Sequence, residues 1–150
     1  MHIRYMVIAA LLAVSFASCQ QAPTDHSLPL KGTWELVDAT TIEQDSSYST
    51  FDASHKMIKI INDTHFAFLN HSAQPADSAK HFFSAGGGTY TLTDSTYTEH
   101  LDYFSDPAWE HHTFAFTVTL RNDTLIQKGV EKVEKLGIDR VIIEKYVRSK

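Results

Sequence analysis

Cysteine is nearly missing: the 150 residues contain one, Cys19, so no disulfide can form within the chain and no catalytic thiol is available to a folded domain. Basic residues are also few, 13 against 18 acids for a formal charge of −5, and they form no dense run, so phosphate backbones are repelled and nucleic acid is not an expected partner. No serine stands in a Gly-x-Ser-x-Gly elbow. The glycine run Gly86 to Gly88 is followed by neither a helical pattern nor Lys-Ser/Thr, which excludes a phosphate-cradling loop. Seven histidines lie after Lys31, yet none form a His-x-His or His-x3-His pair, and the adjacent His111 and His112 would face opposite ways on a strand. No metal ligand and no cofactor is therefore expected.

What is present begins with an export pattern. Arg4, the unbroken apolar run Met6 to Val14 and then Ser15-Phe16-Ala17-Ser18-Cys19 have the order of a signal peptide, with a run too short to hold in a bilayer as a stable span. Phe16-Ala17-Ser18-Cys19 resembles a bacterial lipobox, with Phe16 where leucine is usual; it implies cleavage before Cys19 and lipid on its thiol. Loss of residues 1–18, which hold Arg4 and no acid, takes the charge to −6 and leaves 132 residues, enough for one domain with one core. Residues 19–30, with two prolines and no periodicity, read as a tether, and 31–150 as the domain. Gln20-Gln21-Ala22 carries no acidic surface-export tag, so the expected location is the outer membrane of a diderm cell envelope, on its periplasmic side. Asp77-Ser78-Ala79, Asp94-Ser95-Thr96 and Asp123-Thr124-Leu125 resemble an O-glycosylation motif of exported proteins, though turn chemistry accounts for much of the pattern.

From Lys31 onward the chain alternates strands and turns. Thr33 to Ala39 places Trp34 and Leu36 on one face; Asn62-Asp63-Thr64, Thr93-Asp94-Ser95 and Asn122-Asp123 each separate two apolar runs; and a last strand covers about Arg140 to Val147. Eight strands in meander order favour an all-β, antiparallel up-and-down barrel, because closure removes the edges an open sheet leaves exposed. A two-sheet sandwich is the alternative. Thr40 to His55 is expected to form a short helix or lid, Gly129 to Arg140 a solvated connection, and Asp106-Pro107 the cap and first position of a helical turn that leans Trp109 on the rim. The three glycines call for bending or close approach of backbone.

Gly32-Thr33-Trp34 at the head of the first strand is similar to the Gly-x-Trp signature of lipocalins and their calycin relatives, and Arg148 stands where that superfamily packs an arginine across the tryptophan. The likeness covers Lys31 to Arg148 and resembles small lipocalin-like lipoproteins of diderm bacteria. It implies an eight-stranded lipocalin-like barrel with Trp34 and Arg148 as closure residues. Hydrophobicity alone slightly favours burying Val141, Ile143 and Val147; an Arg148 turned onto Trp34 instead brings Ile142, Glu144 and Tyr146 inside. With that parity, Phe66, Phe68, Tyr90, Tyr97, Glu99, Leu101, Tyr103, Phe114, Phe116 and Tyr146 line the interior.

Glu99 is then an acid on a greasy face, which costs several kcal/mol unless it is paired or protonated. It has three candidate roles: pairing with a tyrosine hydroxyl, Arg148 or Arg140; orienting the polar end of a ligand; or acting as a general acid beside Tyr97 or Tyr103, as in calycin-like decarboxylases, whose motifs are not matched here. The expected function is a lipid-anchored barrel that binds a small hydrophobic or amphipathic molecule. The alternatives are a calycin-type enzyme centred on Glu99 and a barrel filled by its own side chains that serves as a protein scaffold.

Overall fold

The computed structural model describes residues 28–74 and 81–150. The expected signal segment, Cys19, most of the tether and Asp77-Ser78-Ala79 lie outside the described residues. Among the described residues nine strands follow in order: β1 (Gly32–Glu43), β2 (Ser46–Ser49), β3 (His55–Ile61), β4 (His65–Ser72), β5 (Phe83–Thr93), β6 (Thr96–Phe104), β7 (His112–Arg121), β8 (Thr124–Val133) and β9 (Ile138–Arg148). All pairings are antiparallel between sequence neighbours apart from β1 with β3 and β1 with β9, and the latter closes an eight-stranded barrel. The short β2 lies outside the eight, paired with the far half of β1.

Tight turns come where the asparagines and aspartates are. Asp94 and Asn122 take left-handed φ values of 53° each, a conformation their short polar side chains tolerate better than other non-glycine residues. At Asn62 the side-chain oxygen accepts from the backbone N–H of Thr64 and His65 at 2.9 and 2.8 Å, closing the β3–β4 turn. These three turns lie at one end of the barrel. The connections β2–β3, β6–β7 and β8–β9 lie at the other, which the described residues leave open.

The turn end is closed by the first residues of the domain. Trp34 is fully buried and donates its indole N–H to the Leu30 carbonyl at 2.8 Å. The Arg148 guanidinium lies 4.1 Å from the Trp34 ring and donates to the carbonyls of Lys31 and Pro29 at 2.8 and 3.0 Å. Gly32 is required twice over: its φ is 139°, and a β-carbon there would stand 2.5 Å from Arg148 Nη1. Leu28 and Leu30 pack on the core, so the packed part of the chain starts at least three residues before Lys31. Behind this plug Ile61, Phe66, Tyr97, Val118, Leu125 and Tyr146 fill the closed half.

Three expectations are corrected. Thr40 to His55 forms no helix: β1 runs on to Glu43 and turns into β2 through Gln44 and Asp45, both with positive φ. Gln-Asp is a poor advertisement for a turn that usually carries Asn-Gly. Gly129 to Arg140 is mostly ladder, since β8 continues to Val133 and β9 begins at Ile138, leaving a short turn through Glu134–Leu136 that ends on Gly137 at φ 67°. And Tyr103 points outward, 70% exposed. Opposite Gly87 and Gly88 the register skips Asp102, pairing Gly87 with Tyr103 and Gly88 with Leu101. A bulge of this kind reverses the side-chain parity beyond it, so Phe104 and not Tyr103 turns into the barrel.

Candidate functional site

The open half of the barrel holds a cavity of about 210 Å³ whose wall includes Met57, Phe68, Leu101, Phe104, Trp109, Phe114, Phe116 and Ile142. Strand parity sets most of these residues inward; Trp109 arrives from the rim. There Asp106 caps a single helical turn, Pro107–Trp109, by accepting from Ala108 N at 3.1 Å. The turn lays Trp109 against Phe104 and Phe114, with ring centroids 6.0 and 6.1 Å away. Phe104 meets Phe68 edge-on at 5.5 Å, and that contact passes over Gly86, where a β-carbon would collide with Phe68 at 2.5 Å. A side chamber of about 180 Å³ adjoins through the shared Met57, between the β2–β3 loop and Asn70, whose Oδ1 is buried with no hydrogen-bond partner among the described residues.

Polar groups gather at the floor. Lys59 extends inward from β3, its side chain 3% exposed, and donates to Glu99 Oε1 at 2.8 Å and Gln127 Oε1 at 2.9 Å. Its ammonium also sits 5.4 to 5.9 Å from the ring centroids of Tyr146, Phe66 and Tyr97, which lie beneath it. Glu144 on β9 accepts from the Tyr146 hydroxyl at 2.7 Å. Nearer the mouth Arg140 reaches Glu131 with Nε at 2.8 Å and Nη2 at 2.7 Å, and its guanidinium faces Trp109 at 5.8 Å.

Burial dominates the electrostatics. It raises the pKa of Glu99, with Lys59 pulling the other way and Glu144 adding to the rise. Glu131 is raised by burial as well, against the pull of Arg140. The Tyr97 and Tyr146 hydroxyls are held far above their ordinary range by burial first, and then by the negative charge of Glu99 and Glu144 respectively. Tyr97 Oη has no hydrogen-bond partner among the described residues.

Of the residues expected to line the interior, Phe68, Glu99, Leu101, Phe114 and Phe116 border the cavity. Phe66, Tyr97 and Tyr146 point inward but are sealed under Lys59, at 2%, 1% and 0% exposure. Tyr90 packs on Tyr97 and donates its hydroxyl to the Asn62 carbonyl at the closed end. Tyr103 lies outside the barrel, as described above. Glu99 is ion-paired with Lys59 and not with Arg148 or Arg140: Arg148 is committed to the closed end and Arg140 to Glu131.

Lys59, Gln127 and Glu131 were not foreseen, and Arg140, considered as a partner for Glu99, pairs with Glu131 instead. Lys59 was within reach of strand parity, because Met57, Lys59 and Ile61 alternate with Ile58 and Ile60; its charge argued for the outside while its position argued for the inside. Glu131 was hidden by the Lys/Glu-rich composition of its segment, which looks solvated on composition alone.

Among the described residues, fold and site together define a closed antiparallel β-barrel, plugged at one end and open at the other onto an aromatic cavity with a charged floor. The chain belongs to the family described as a domain of unknown function (DUF4488), whose model matches residues 29–150. No curated protein matches it.

Proposed function

We propose that this protein is a lipocalin-like binding protein, held to the cell envelope through lipid on Cys19, that takes a small hydrophobic or amphipathic molecule into the open half of its barrel. The observation that carries the proposal is a barrel of only eight strands that is not filled by its own side chains: about 210 Å³ stays open above Glu99 and Gln127. An apolar wall with a few convergent polar groups is the common form of a small-molecule site. The plug of Trp34 and Arg148 over Gly32 supports the lipocalin likeness. The volume limits what can enter, since a cavity of about 150 Å³ accepts benzene, so the enclosed portion of a ligand is a ring with a short substituent. A longer molecule would extend past Trp109 and Arg140 into solvent.

A catalytic role for Glu99 has less support, because its bonded oxygen is taken by a buried lysine and the nearest tyrosine hydroxyl is sealed below the floor. The test is native mass spectrometry of the protein purified from the envelope of the cells that make it, beside the same sample denatured. A non-covalent mass that disappears on denaturation, and that is lost when Leu101→Trp fills the cavity, is the expected result. A bare chain, together with no uptake of small aromatic probes, would sink the binding role and favour the scaffold. The denatured mass of the same sample reports whether Cys19 carries lipid and whether Asp77-Ser78-Ala79 carries a glycan.

A further inference from the structure

The charges around the cavity do not cancel. Lys59 and Arg140 are its cations, Glu99, Glu131 and Glu144 its anions, so the ring of ionisable groups has one carboxylate more than it has cations. Both cations are already ion-paired, Lys59 Nζ donating to Glu99 and Gln127 and Arg140 Nε and Nη2 to Glu131, which leaves one N–H on Lys59 and the Nη1 group of Arg140 over. The unmatched carboxylate is Glu144. Its Oε2 accepts from the Tyr146 hydroxyl at 2.7 Å, and its Oε1 has no hydrogen bond among the described residues. A carboxylate can accept at both oxygens, so Glu144 has acceptor capacity left over on the wall of an aromatic cavity.

Resting on the binding role proposed above, we infer that the cavity selects molecules whose ring-sized apolar body ends in a protonated amine, with the ammonium docked on Glu144 and the ring against Phe68, Phe104, Phe114 and Trp109. An ammonium brings three donors and one positive charge, which meets the free acceptor and neutralises the surplus. The site already handles one primary ammonium in this way, since Lys59 sits between a carboxylate, an amide oxygen and three aromatic rings. An anionic ligand would find both cations engaged and three carboxylates facing it. A neutral ligand would leave the charge on Glu144 uncompensated.

The experiment compares three probes of nearly equal size, 2-phenylethylamine, 2-phenylethanol and phenylacetate, by calorimetry on the protein as purified and freed of small molecules, at neutral pH. The amine is expected to bind about tenfold or more tighter than the alcohol, as one charge-assisted contact provides, with the acid weakest. Glu144→Gln keeps an acceptor for the Tyr146 hydroxyl and removes the charge, so it should bring the amine to within about threefold of the alcohol. Binding of the alcohol also reports that the variant is folded, and the ranking on the unaltered protein stands without it. If the alcohol or the acid equals or exceeds the amine, or Glu144→Gln keeps the amine preference, the amine specificity is wrong and the binding role survives. If none of the three binds, both fall.

Discussion

Replacing Lys59 by methionine tests the floor of the cavity directly. The lysine side chain is 3% exposed and that of Glu99 9%, so the pair sits almost out of water with 2.8 Å between charged atoms. At an effective dielectric constant of about 20 the gross attraction at that distance is about 6 kcal/mol. Each ion gives up several kcal/mol of hydration to be there, so the pair as a whole contributes little net stability. Its removal by halves is another matter. Lys59→Met keeps the aliphatic bulk against Phe66, Tyr97 and Tyr146 but strands the Glu99 carboxylate, and the expected loss is about 3–5 kcal/mol by urea denaturation at neutral pH. Lys59→Met/Glu99→Gln removes both charges and should come back to within about 1–2 kcal/mol of the parent. If both single substitutions cost under about 1 kcal/mol and add in the double variant, the pair is solvated and the account of the floor is wrong.

The pH dependence of the same variant separates a stranded charge from mere loss of packing. Burial holds the folded-state pKa of Glu99 above that of the unfolded chain, so the native protein takes up this proton first on acidification. Such a group contributes stability that grows as pH falls through the folded value and is lost as pH rises through it. Without Lys59 the folded value rises further and the window moves to higher pH. Lys59→Met should therefore recover stability as the pH is lowered, with a slope of at most about 1.4 kcal/mol per pH unit for the single proton. A pH-independent loss would mean that the methionine packs badly and that charge has nothing to do with it.

Three further outcomes are expected. Gly88→Ala should cost about 2–4 kcal/mol or prevent folding, because its β-carbon would stand 1.9 Å from the His100 carbonyl oxygen at the bulge; a melting curve unchanged from the parent would mean the bulge is not there. Tyr97 and Tyr146 should resist ionisation in a spectrophotometric alkaline titration until the barrel itself unfolds, and their ionisation in folded protein together with the exposed tyrosines would contradict their burial. Arg148→Ala should destabilise by about 1–3 kcal/mol, through loss of the stack on Trp34 and of two donors to the Lys31 and Pro29 carbonyls, without altering probe binding at the other end; equal damage to binding and stability would show that the two ends are coupled.

The barrel was legible because its signals are local and repeated. Asn-Asp and Asp-Ser turns between alternating runs give antiparallel neighbours, and Gly32, Trp34 and Arg148 mark where the first and last strands meet. The site was legible wherever parity runs unbroken, and was lost at each irregularity. Tyr103 was misplaced because a bulge at Asp102 skips one residue, and the sign of that bulge is not in β6 at all; it is in Gly88 on the neighbouring strand, where any side chain would strike the displaced backbone. Lys59 was lost for a different reason. Composition sends a lysine outward, and only its partners Glu99 and Gln127, on strands far away in sequence, make the inward position tolerable.

The same long-range dependence bears on what the cavity is for. If Glu99 and Lys59 served stability alone, a pair of apolar residues would do as well or better, by the desolvation argument above. Their cost is better understood beside Glu144, which the pair does not neutralise and which keeps an oxygen free. With Lys59 held between Glu99 and Gln127, the charge left unmatched at the floor among the described residues is negative. A filled scaffold has no use for that arrangement, and a general acid would need the bonded oxygen of Glu99 released from its lysine. A binding site that must tell a cation from a neutral molecule of the same size needs an uncompensated carboxylate at the bottom of an aromatic cavity, supported by groups too tightly paired to move toward it.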